Sequence, residues 1–554
     1  GLAFLDNIIK THPEFNEFEG VKVSIPKTVV LCTDVFDQFM DNNNLYQLAL
    51  SDAPDEEILQ AFIKAQLPDQ FIDDFKTFFE AIRHPIAIRS SSLLEDSHYQ
   101  PFAGIYSTYM IPYLDDKDEM LRMLAAAIKS VYASVYFKDS KAYMTATRNV
   151  IDQEKMAVIL QEVVGKQYGD HFYPNFSGVL RSINYYPLGY EKSEEGIASL
   201  ALGLGKYIVD GGQTLRVSPY HPTQVLQTSD MEIALRQTQT QFYALDMKRV
   251  GVDFKVDDGF NILKLKVKDA ENDGALNFIA STYDANDRVI RDGLYDGGRK
   301  IVSFNGVLRH GVFPLPELLK LSMHHGADSM RRPVEIEFAC TLNDDRTGEF
   351  YLLQIRPIVD SKQVLDQDIM TIPDDKCLLR SHNSLGHGVS DDIVDVVYVK
   401  TDENFTASDN PVVAMEVERI NKKFLADGKN YVLVGPGRWG SSDSWLGVPV
   451  KWPHISAAKL IVETTLKNYS VDPSQGTHFF QNLTSFGVGY FTIDENKGMG
   501  FFRKEILDAM PAVEETPHVR HVRFSKPLHI MMDGMKQEGL VICDTEDAKG
   551  NDAR

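Results

Sequence analysis

Apolar and polar residues follow a hairpin pattern between residues 334 and 358. The run V-E-I-E-F-A-C-T-L is rich in β-branched and aromatic residues, the polar stretch N-D-D-R-T-G follows it, and the run E-F-Y-L-L-Q-I-R-P-I is again mostly apolar. Apolar runs of strand length on both sides of a polar, glycine-containing stretch are typical of two antiparallel strands joined by a turn. The sequence therefore predicts a β-hairpin here.

The polar side chains of this hairpin fall on one face. Because successive side chains of a strand point to opposite faces, Glu335 and Glu337 share one face, and Gln354 and Arg356 likewise share one. A register that sets Glu337 opposite Gln354 also sets Glu335 opposite Arg356. Carboxylate and amide oxygens hold Mg²⁺ and a guanidinium forks onto phosphate oxygens, so the patch suits a metal-bound triphosphate. The alternative is an amphipathic hairpin whose Glu and Arg side chains pair on a solvated face.

A second informative stretch spans residues 84–110. A short apolar strand at 86–88 leads into Arg89 and the serine run 90–92, and the sequence F-A-G at 102–104 precedes another predicted strand. Small hydroxyl residues and glycine let backbone amides approach an anion closely, while the arginine supplies a fixed charge. The stretch therefore suits a phosphate site. The alternative is a strand that ends in a serine turn with a surface arginine.

The rest of the pattern mixes helices and strands. Apolar residues recur at helical spacing in 1–11 and 114–150, whereas the nearly continuous apolar run at 155–164 has the length of a buried strand. A chain of 554 residues is also too long for one hydrophobic core. We therefore expect an α/β protein of more than one compact unit.

Composition and charge argue against some classes of partner and indicate a cellular compartment. The chain has 43% hydrophobic and 25% charged residues, and its net charge of -22 argues against a nucleic-acid partner, because binding to phosphate backbones depends on Lys and Arg. No apolar run approaches the about 18 residues that span a bilayer, so no membrane partner is expected. The cysteines lack metal-ligand spacing, and a reducing cytoplasm is the simplest compartment.

Several of these segments together resemble one enzyme family. In chain order they are R-S-S-S-x-x-E-D with F-A-G, then Q-E-V-V, G-L-G, E-I-E-F and L-L-Q-I-R-P-I. This series is similar to the nucleotide-binding domain of phosphoenolpyruvate synthase and pyruvate phosphate dikinase. The resemblance implies a two-lobed ATP-grasp domain at residues 1–362, with ATP and Mg²⁺ as cofactors. A second, smaller α/β domain of unknown role is expected at residues 363–554.

The resemblance also assigns roles to single residues. Arg89 and Arg356 are expected to stabilise the transferred phosphoryl group, and Glu337 and Gln354 are expected to hold the metal. The implied nucleotide ligands are Arg89, Ser90, Ser91, Gln161, Glu162, Glu335, Glu337 and Gln354.

Two departures from the family pattern are visible. The family has a phosphate-binding lysine in a G-G-K-G motif directly before its first helix, and no residue of this sequence matches it; a G-G-K preceding Gly1 would restore that part of the pocket. Where the family often has glutamate after G-L-G, this chain has Lys206. A solvated lysine is the simpler interpretation of Lys206, and a phosphate contact is the alternative.

The C-terminal third shows no segment like the family's phosphohistidine motif. The stretch 435–440 spells G-x-G-x-x-G and is interpreted either as a tight loop packed around Trp439 and Trp445 or as an anion site that uses its amides and Arg438. His478 is interpreted as a hydrogen-bonded core residue, with a phosphocarrier role as the alternative.

The predicted function is an Mg²⁺-ATP-binding phosphotransferase module whose acceptor is unknown. Its expected partners are a small-molecule nucleotide and a phosphoacceptor domain or protein. The alternatives are a nucleotide-binding sensor or scaffold without transfer activity, and a fragment of a larger dikinase-like protein.

Overall fold

The computed structural model of the chain describes residues 1–92, 106–146, 154–184, 191–229, 231–248, 254–358, 369–401, 405–441, 443–465, 488–534 and 536–543. These residues form two compact units, one made by residues up to 358 and the other by residues from 369 onward. The boundary predicted between residues 362 and 363 falls in the stretch 359–368, outside the described residues, and stays a prediction.

The first unit mixes helices with strands, which confirms the predicted α/β class. Its helices are α1 (Leu2–Thr11), α2 (Thr33–Asn42), α3 (Tyr46–Ala49), α4 (Asp55–Lys64), α5 (Ile72–Ala81), α6 (Lys117–Ser134), α7 (Lys138–Ala146), α8 (Lys206–Val209), α9 (Met231–Gln237), α10 (Val267–Asn272), α11 (Asn305–Leu308) and α12 (Leu315–Met330). Its strands are β1 (Val21–Ser24), β2 (Thr28–Leu31), β3 (Ile86–Ser92), β4 (Thr108–Ile111), β5 (Met156–Glu162), β6 (Lys166–Tyr168), β7 (His171–Tyr173), β8 (Phe176–Arg181), β9 (Ile197–Leu202), β10 (Leu215–Val217), β11 (Gln241–Asp246), β12 (Ile262–Lys266), β13 (Ala280–Asp284), β14 (Val289–Asp292), β15 (Arg299–Val302), β16 (Val334–Leu342) and β17 (Gly348–Pro357).

Two sheets of this unit carry the predicted site residues. The hairpin sheet has the strand order β1-β17-β16-β8-β9-β10, and the Arg89 sheet has the order β2-β5-β3-β4. Further sheets have the orders β12-β11-β7-β6 and β14-β13-β15. The two stretches that stood out in the sequence therefore belong to different sheets of one unit.

The predicted hairpin lies inside the hairpin sheet. β16 and β17 pair in antiparallel fashion, with Glu337 opposite Gln354 and Glu335 opposite Arg356. This is the register under which the polar side chains of the two strands share one patch. β16 also pairs with β8, so both of its edges are hydrogen-bonded and its backbone is fixed from two sides.

Helix α12 covers the apolar face of the hairpin. A Cβ added at Gly326 would lie 3.1 Å from the Cδ1 atoms of both Ile336 and Ile355. Because contacts of that length are tighter than ordinary van der Waals packing, the glycine lets the helix approach the sheet closely. The helix thereby seals the face of the hairpin opposite to its carboxylates.

A β-bulge in β17 sets the direction of the hairpin's polar side chains. The register passes from Glu337–Gln354 to Phe338–Leu352, so Leu353 is an extra residue in β17. Before the bulge Leu352 is buried in the core, and after it Ile355 takes that role. With unbroken alternation Gln354 would point into the core beside Leu352. The bulge instead turns Gln354 to the face that carries Glu337.

The Arg89 sheet is packed on one face by α2 and α6. Ile88, Val158 and Leu160 are fully buried in this contact. Among the described residues, one helical segment, Lys117–Met144, is long and apolar enough to cross a membrane by length and composition alone, and 72% of its most apolar window is buried inside the protein. This segment contains α6 and supplies core packing for the sheet.

The second unit is also α/β, as predicted. Its helices are α13 (Asn410–Ala426) and α14 (Lys504–Ala509). Its strands are β18 (Cys377–Ser381), β19 (Ser384–Leu385), β20 (His387–Val399), β21 (Tyr431–Pro436), β22 (Arg438–Trp439), β23 (Gly447–Val448), β24 (Ala458–Thr464), β25 (Gly489–Ile493), β26 (Gly500–Phe502), β27 (Ala512–Glu515), β28 (Val519–Asp533) and β29 (Glu538–Ile542). The main sheet has the order β19-β25-β24-β21-β20-β28-β29-β18-β26, and its β20, β21, β24 and β25 run parallel. Helix α13 connects β20 to β21, the usual crossover between parallel strands.

Candidate functional site

The guanidinium of Arg89 joins the Arg89 sheet to the hairpin sheet. Its Nη2 donates a hydrogen bond to Oε1 of Gln354 at 2.6 Å, and its Nη1 donates to Oε1 of Gln161 at 3.2 Å. The same Nη2 lies 3.6 Å from Oε2 of Glu337. Four of the residues singled out in the sequence therefore meet in one cluster, which we call the Arg89 cluster.

Strand pairing explains why Arg89 and Gln161 face the same way. β3 and β5 are antiparallel, with Ala87 opposite Gln161 and Arg89 opposite Ile159. Side chains of directly opposed residues lie on one face of a sheet, so Arg89 and Gln161 are diagonal neighbours on that face. The buried Ile88 lies on the other face. The packing of α2 and α6 on that other face thus leaves Arg89 directed toward the hairpin sheet.

Gln161 carries an unsatisfied polar atom inside the cluster. The residue is 4% exposed, and its Oε1 accepts from Arg89. Its Nε2 has no hydrogen-bond partner within the described part of the chain. A buried amide donor without a partner costs about 1–3 kcal/mol, so the cluster contains a donor that an acceptor atom of a ligand would satisfy.

Glu335 forms a buried ion pair. Oε2 of Glu335 accepts from Nε of Arg181 at 2.7 Å and lies 2.6 Å from its Nη2. Arg181 lies directly opposite Glu335 on β8, and Arg356 lies opposite it on β17. Glu335 therefore stands between two arginines, and it forms its ion pair with Arg181 rather than with Arg89.

The other predicted ligands lie around the cluster. Ser91 shares the face of Arg89, whereas Ser90, opposite Val158, is on the face packed by the helices. The carboxylate of Glu162 lies 3.7 Å from Nδ1 of His84. The structure therefore brings Ser91 to the face of the cluster and places Ser90 and the Glu162 carboxylate away from Arg89.

A tyrosine on β17 adds to the environment of this face. This residue is Tyr351, and its hydroxyl donates a hydrogen bond to Oε2 of Glu349 at 3.0 Å. Burial, with the carboxylates of Glu349 and Glu162 nearby, raises the pKa of Tyr351. The phenol therefore stays protonated at neutral pH and acts as a hydrogen-bond donor.

Backbone amides of the glycine loop in the second unit donate hydrogen bonds within the protein. The amides of Gly437, Arg438 and Gly440 donate to the carbonyls of Thr464, Leu446 and Val448. The amide of Trp439 donates to Oε1 of Glu463 at 2.9 Å. Since these donors are used within the protein, the alternative of an anion site built from the loop amides is wrong. The tight-loop interpretation holds in part, because Trp439 is fully buried while Trp445 is exposed.

His478, the other residue noted in this part of the sequence, lies outside the described residues. Its two interpretations both stay predictions.

Comparison with known proteins identifies the family of the first unit. The family described as "Pyruvate phosphate dikinase, AMP/ATP-binding domain" matches residues 13–376, more than half of the chain. The chain belongs to this family. The match includes every member of the Arg89 cluster, and it confirms the resemblance drawn from the motifs. The chain is therefore a member of an ATP-binding domain family.

A curated relative shows a more distant similarity. It is a protein of Bacillus subtilis (strain 168) named "Uncharacterized phosphotransferase YvkC", and it is 27% identical over 190 residues. The match covers 34% of this chain and 20% of the relative. The aligned segment is thus about a fifth of the relative's length.

Two features of the site were missed in the sequence. The first is Arg181, which lies in a strand without any local motif and becomes visible only through its pairing with Glu335. The second is the bulge at Leu353. The apolar positions Phe350, Leu352 and Ile355 depart from a period of two at this point, so the sequence did carry a signal for the bulge.

Proposed function

We propose that the first unit binds Mg²⁺-ATP at the Arg89 cluster and transfers a phosphoryl group from it. The observation that carries the proposal is the contact of Arg89 with Gln161, Glu337 and Gln354, which come from two sheets. Charged and amide side chains gathered at such a junction suit a polyanionic ligand and a cation together. Membership of an AMP/ATP-binding domain family supports the choice of nucleotide.

Arg89 and Arg356 are the proposed phosphate ligands. A guanidinium is planar, permanently charged and rich in donors, and it binds two phosphate oxygens at once. In the proposed complex Arg89 gives up its contacts to Gln354 and Glu337 and donates to phosphate oxygens instead. Arg356, on the face of β17 that carries Gln354, adds a second positive charge. Both would stabilise the negative charge that spreads over the phosphoryl oxygens during transfer.

Glu337 and Gln354 are the proposed metal ligands. They lie directly opposite each other across the β16–β17 ladder, and each has a side-chain oxygen on the face of the cluster. Mg²⁺ prefers oxygen ligands and is usually held by one or two carboxylates together with substrate phosphates. No group of three or more His, Cys, Asp or Glu in the described ranges could hold a metal on its own, so phosphate oxygens would complete the coordination. When bound, the ion neutralises charge on the phosphates.

Gln161 is the proposed additional nucleotide contact. Its buried Nε2 has no acceptor among the residues that the structure describes, and ATP offers acceptors on its base, ribose and phosphates. Ligand binding would remove the cost of that unpaired donor, which favours the occupied state.

The proposed reaction is phosphoryl transfer to an acceptor separate from this unit. The word "phosphotransferase" in the name of the relative supports the reaction class. The expected acceptor is another domain or protein. A larger dikinase-like protein that contains this chain would supply such a domain.

A nucleotide-binding sensor or scaffold is the second candidate. The observation that favours it is that Arg89 already has partners in Gln161 and Gln354, so the cluster is held together without a ligand. Such a protein would bind ATP and leave its phosphates intact.

The test is calorimetric titration of Mg²⁺-ATP into the full chain and its variants. Glu337→Gln and Arg89→Ala should each weaken binding at least about tenfold, because each removes a charged contact to the ligand. Matched controls are Glu80→Gln, whose exposed carboxylate lies 3.6 Å from Nζ of Lys117, and Arg291→Ala, an exposed arginine near Asp284. Both controls should bind like the parent.

Turnover separates the two candidates. Incubation with ATP labelled in the γ-phosphate should release or transfer the label if the unit is a phosphotransferase, and Arg89→Ala should abolish that signal. Binding without any loss of label would favour the sensor. A parent chain that does not bind Mg²⁺-ATP would refute both.

A further inference from the structure

Two side chains are hydrogen-bonded to the edge strand of the Arg89 sheet. β4 is the last strand of that sheet, and its Thr108 lies directly opposite Arg89. The outward-facing amide of Thr108 donates to Oδ2 of Asp258 at 2.9 Å. Two residues further along, the carbonyl of Met110 accepts from Nδ2 of Asn261 at 3.2 Å. The segment 254–261 thus satisfies the free edge of the strand that pairs with Arg89.

The second oxygen of Asp258 reaches a lysine on another element. Nζ of Lys206 lies 3.4 Å from Oδ1 of Asp258 and 3.5 Å from Oδ1 of Asp210. Lys206 is therefore neither a solvated lysine nor free for phosphate, which corrects its interpretation from the sequence. Burial alone would lower the pKa of Lys206, but Asp258 and Asp210 raise it overall. Lys206 is accordingly a charged partner for both carboxylates at neutral pH.

Lys206 begins α8, and α8 packs on the hairpin sheet. Tyr207 and Ile208 form a buried cluster with Val179 and Ala201. Val179 lies directly opposite Glu337 on the neighbouring strand. The contacts therefore run without a gap from the residue opposite Arg89, through Asp258 and Lys206, to the residue opposite Glu337.

We infer that Asp258 and Lys206 form a link that sets the position of Arg89 relative to Glu337 and Gln354, and that Asp258 is a positioning residue of the nucleotide site. The inference rests on the proposed function. The 2.6 Å contact between Arg89 and Gln354 spans two sheets, so it depends on the spacing of those sheets. The salt link joins a segment hydrogen-bonded to the Arg89 sheet to a helix packed on the hairpin sheet, so it holds that spacing, and small errors of position weaken charged contacts strongly.

The experiment is a double-mutant cycle read by calorimetric titration of Mg²⁺-ATP into the full chain. Asp258→Asn keeps an oxygen for Thr108 but loses the charge that Lys206 needs, and Lys206→Met removes the partner charge. Each should raise the Kd about tenfold, and the double variant should be no weaker than either single one. Asp257→Asn is the control, because the carboxylate of Asp257 accepts from the nearby amide of Gly259. It should bind within about twofold of the parent.

The same substitution in an Arg89→Ala background tells positioning from a general effect on the fold. If Asp258 acts through Arg89, Asp258→Asn should add no further loss there. An equal loss in both backgrounds, or parent-like binding by Asp258→Asn and Lys206→Met, would overturn the inference and leave the proposed function standing. A parent chain that does not bind ATP would overturn both.

Discussion

The buried pair of Arg181 and Glu335 allows a quantitative test of how the site is held together. Their side chains are 5% and 6% exposed, with Glu335 Oε2 in contact with two nitrogens of Arg181. Arg181→Met keeps a long side chain and removes the charge. Breaking a buried pair typically costs about 3–5 kcal/mol. Because Arg356 lies opposite Glu335 on β17 and replaces part of the lost charge, we expect the lower end, about 3 kcal/mol.

The assay is urea unfolding followed by far-ultraviolet circular dichroism, with separate transitions fitted for the two compact units. Removing both charges in Arg181→Met/Glu335→Met should recover most of the loss, since no buried charge is then left without its partner. Arg291→Met is the control: it removes an arginine that is 49% exposed, and it should change stability by less than about 0.5 kcal/mol. A cost below about 1 kcal/mol for Arg181→Met, or no recovery in the double variant, would refute this reasoning.

Two further predictions concern the second unit and the bulge. Burial would raise the pKa of Asp395, but hydrogen bonds from His521 and Arg523 hold it below its usual value, so its stabilising effect is present above about pH 4 and is lost as the pH falls through the lowered pKa. Asp395→Asn should therefore destabilise the second unit by about 3 kcal/mol at pH 7, and in thermal melts this cost should shrink as the pH falls below about 4; a cost that does not depend on pH would contradict the linkage. Deleting Leu353 should restore simple alternation and drive Gln354 into the core, at a cost above about 3 kcal/mol in urea unfolding, whereas Leu353→Ala, which keeps the bulge, should cost about 1 kcal/mol. Similar costs for the two variants would show that the bulge does not set side-chain direction.

The hairpin and the shared faces of its polar residues could be predicted from the sequence because they depend on local rules. Alternation places Glu335 and Glu337 on one face of the strand. Once Glu337 pairs with Gln354, Glu335 must pair with Arg356. The direction of Gln354 depended on the bulge, which follows from a shift in the apolar positions of β17. Counted from the Leu342–Gly348 pair without a bulge, the strands would set Glu337 opposite Leu353, so the observed pairing also depends on the bulge, which the apolar period of β17 indicates.

The contact of Arg89 with Gln354 could not be predicted from spacing. The two residues are 265 positions apart, and their meeting depends on how two sheets pack. Only the order of family motifs suggested it. The same limit explains why Asp258 drew no attention: it lies in a polar segment without a motif, and its partners Thr108 and Lys206 come from distant parts of the chain.

The glycine loop shows the limit of a spacing pattern. Its G-x-G-x-x-G spacing permitted an anion site, yet spacing does not reveal where the amides donate. In the fold these amides donate hydrogen bonds to the carbonyls of Thr464, Leu446 and Val448 and to the carboxylate of Glu463. A glycine pattern indicates an anion site only where the surrounding chain leaves those amides unused.

The most direct test of the central claim is a crystal structure of the chain with Mg²⁺ and a non-hydrolysable ATP analogue. We expect the triphosphate between Arg89 and the pair Glu337 and Gln354, with Nη2 of Arg89 moved from Gln354 to a phosphate oxygen. A nucleotide bound elsewhere, with the 2.6 Å contact of Arg89 to Gln354 unchanged, would contradict the account.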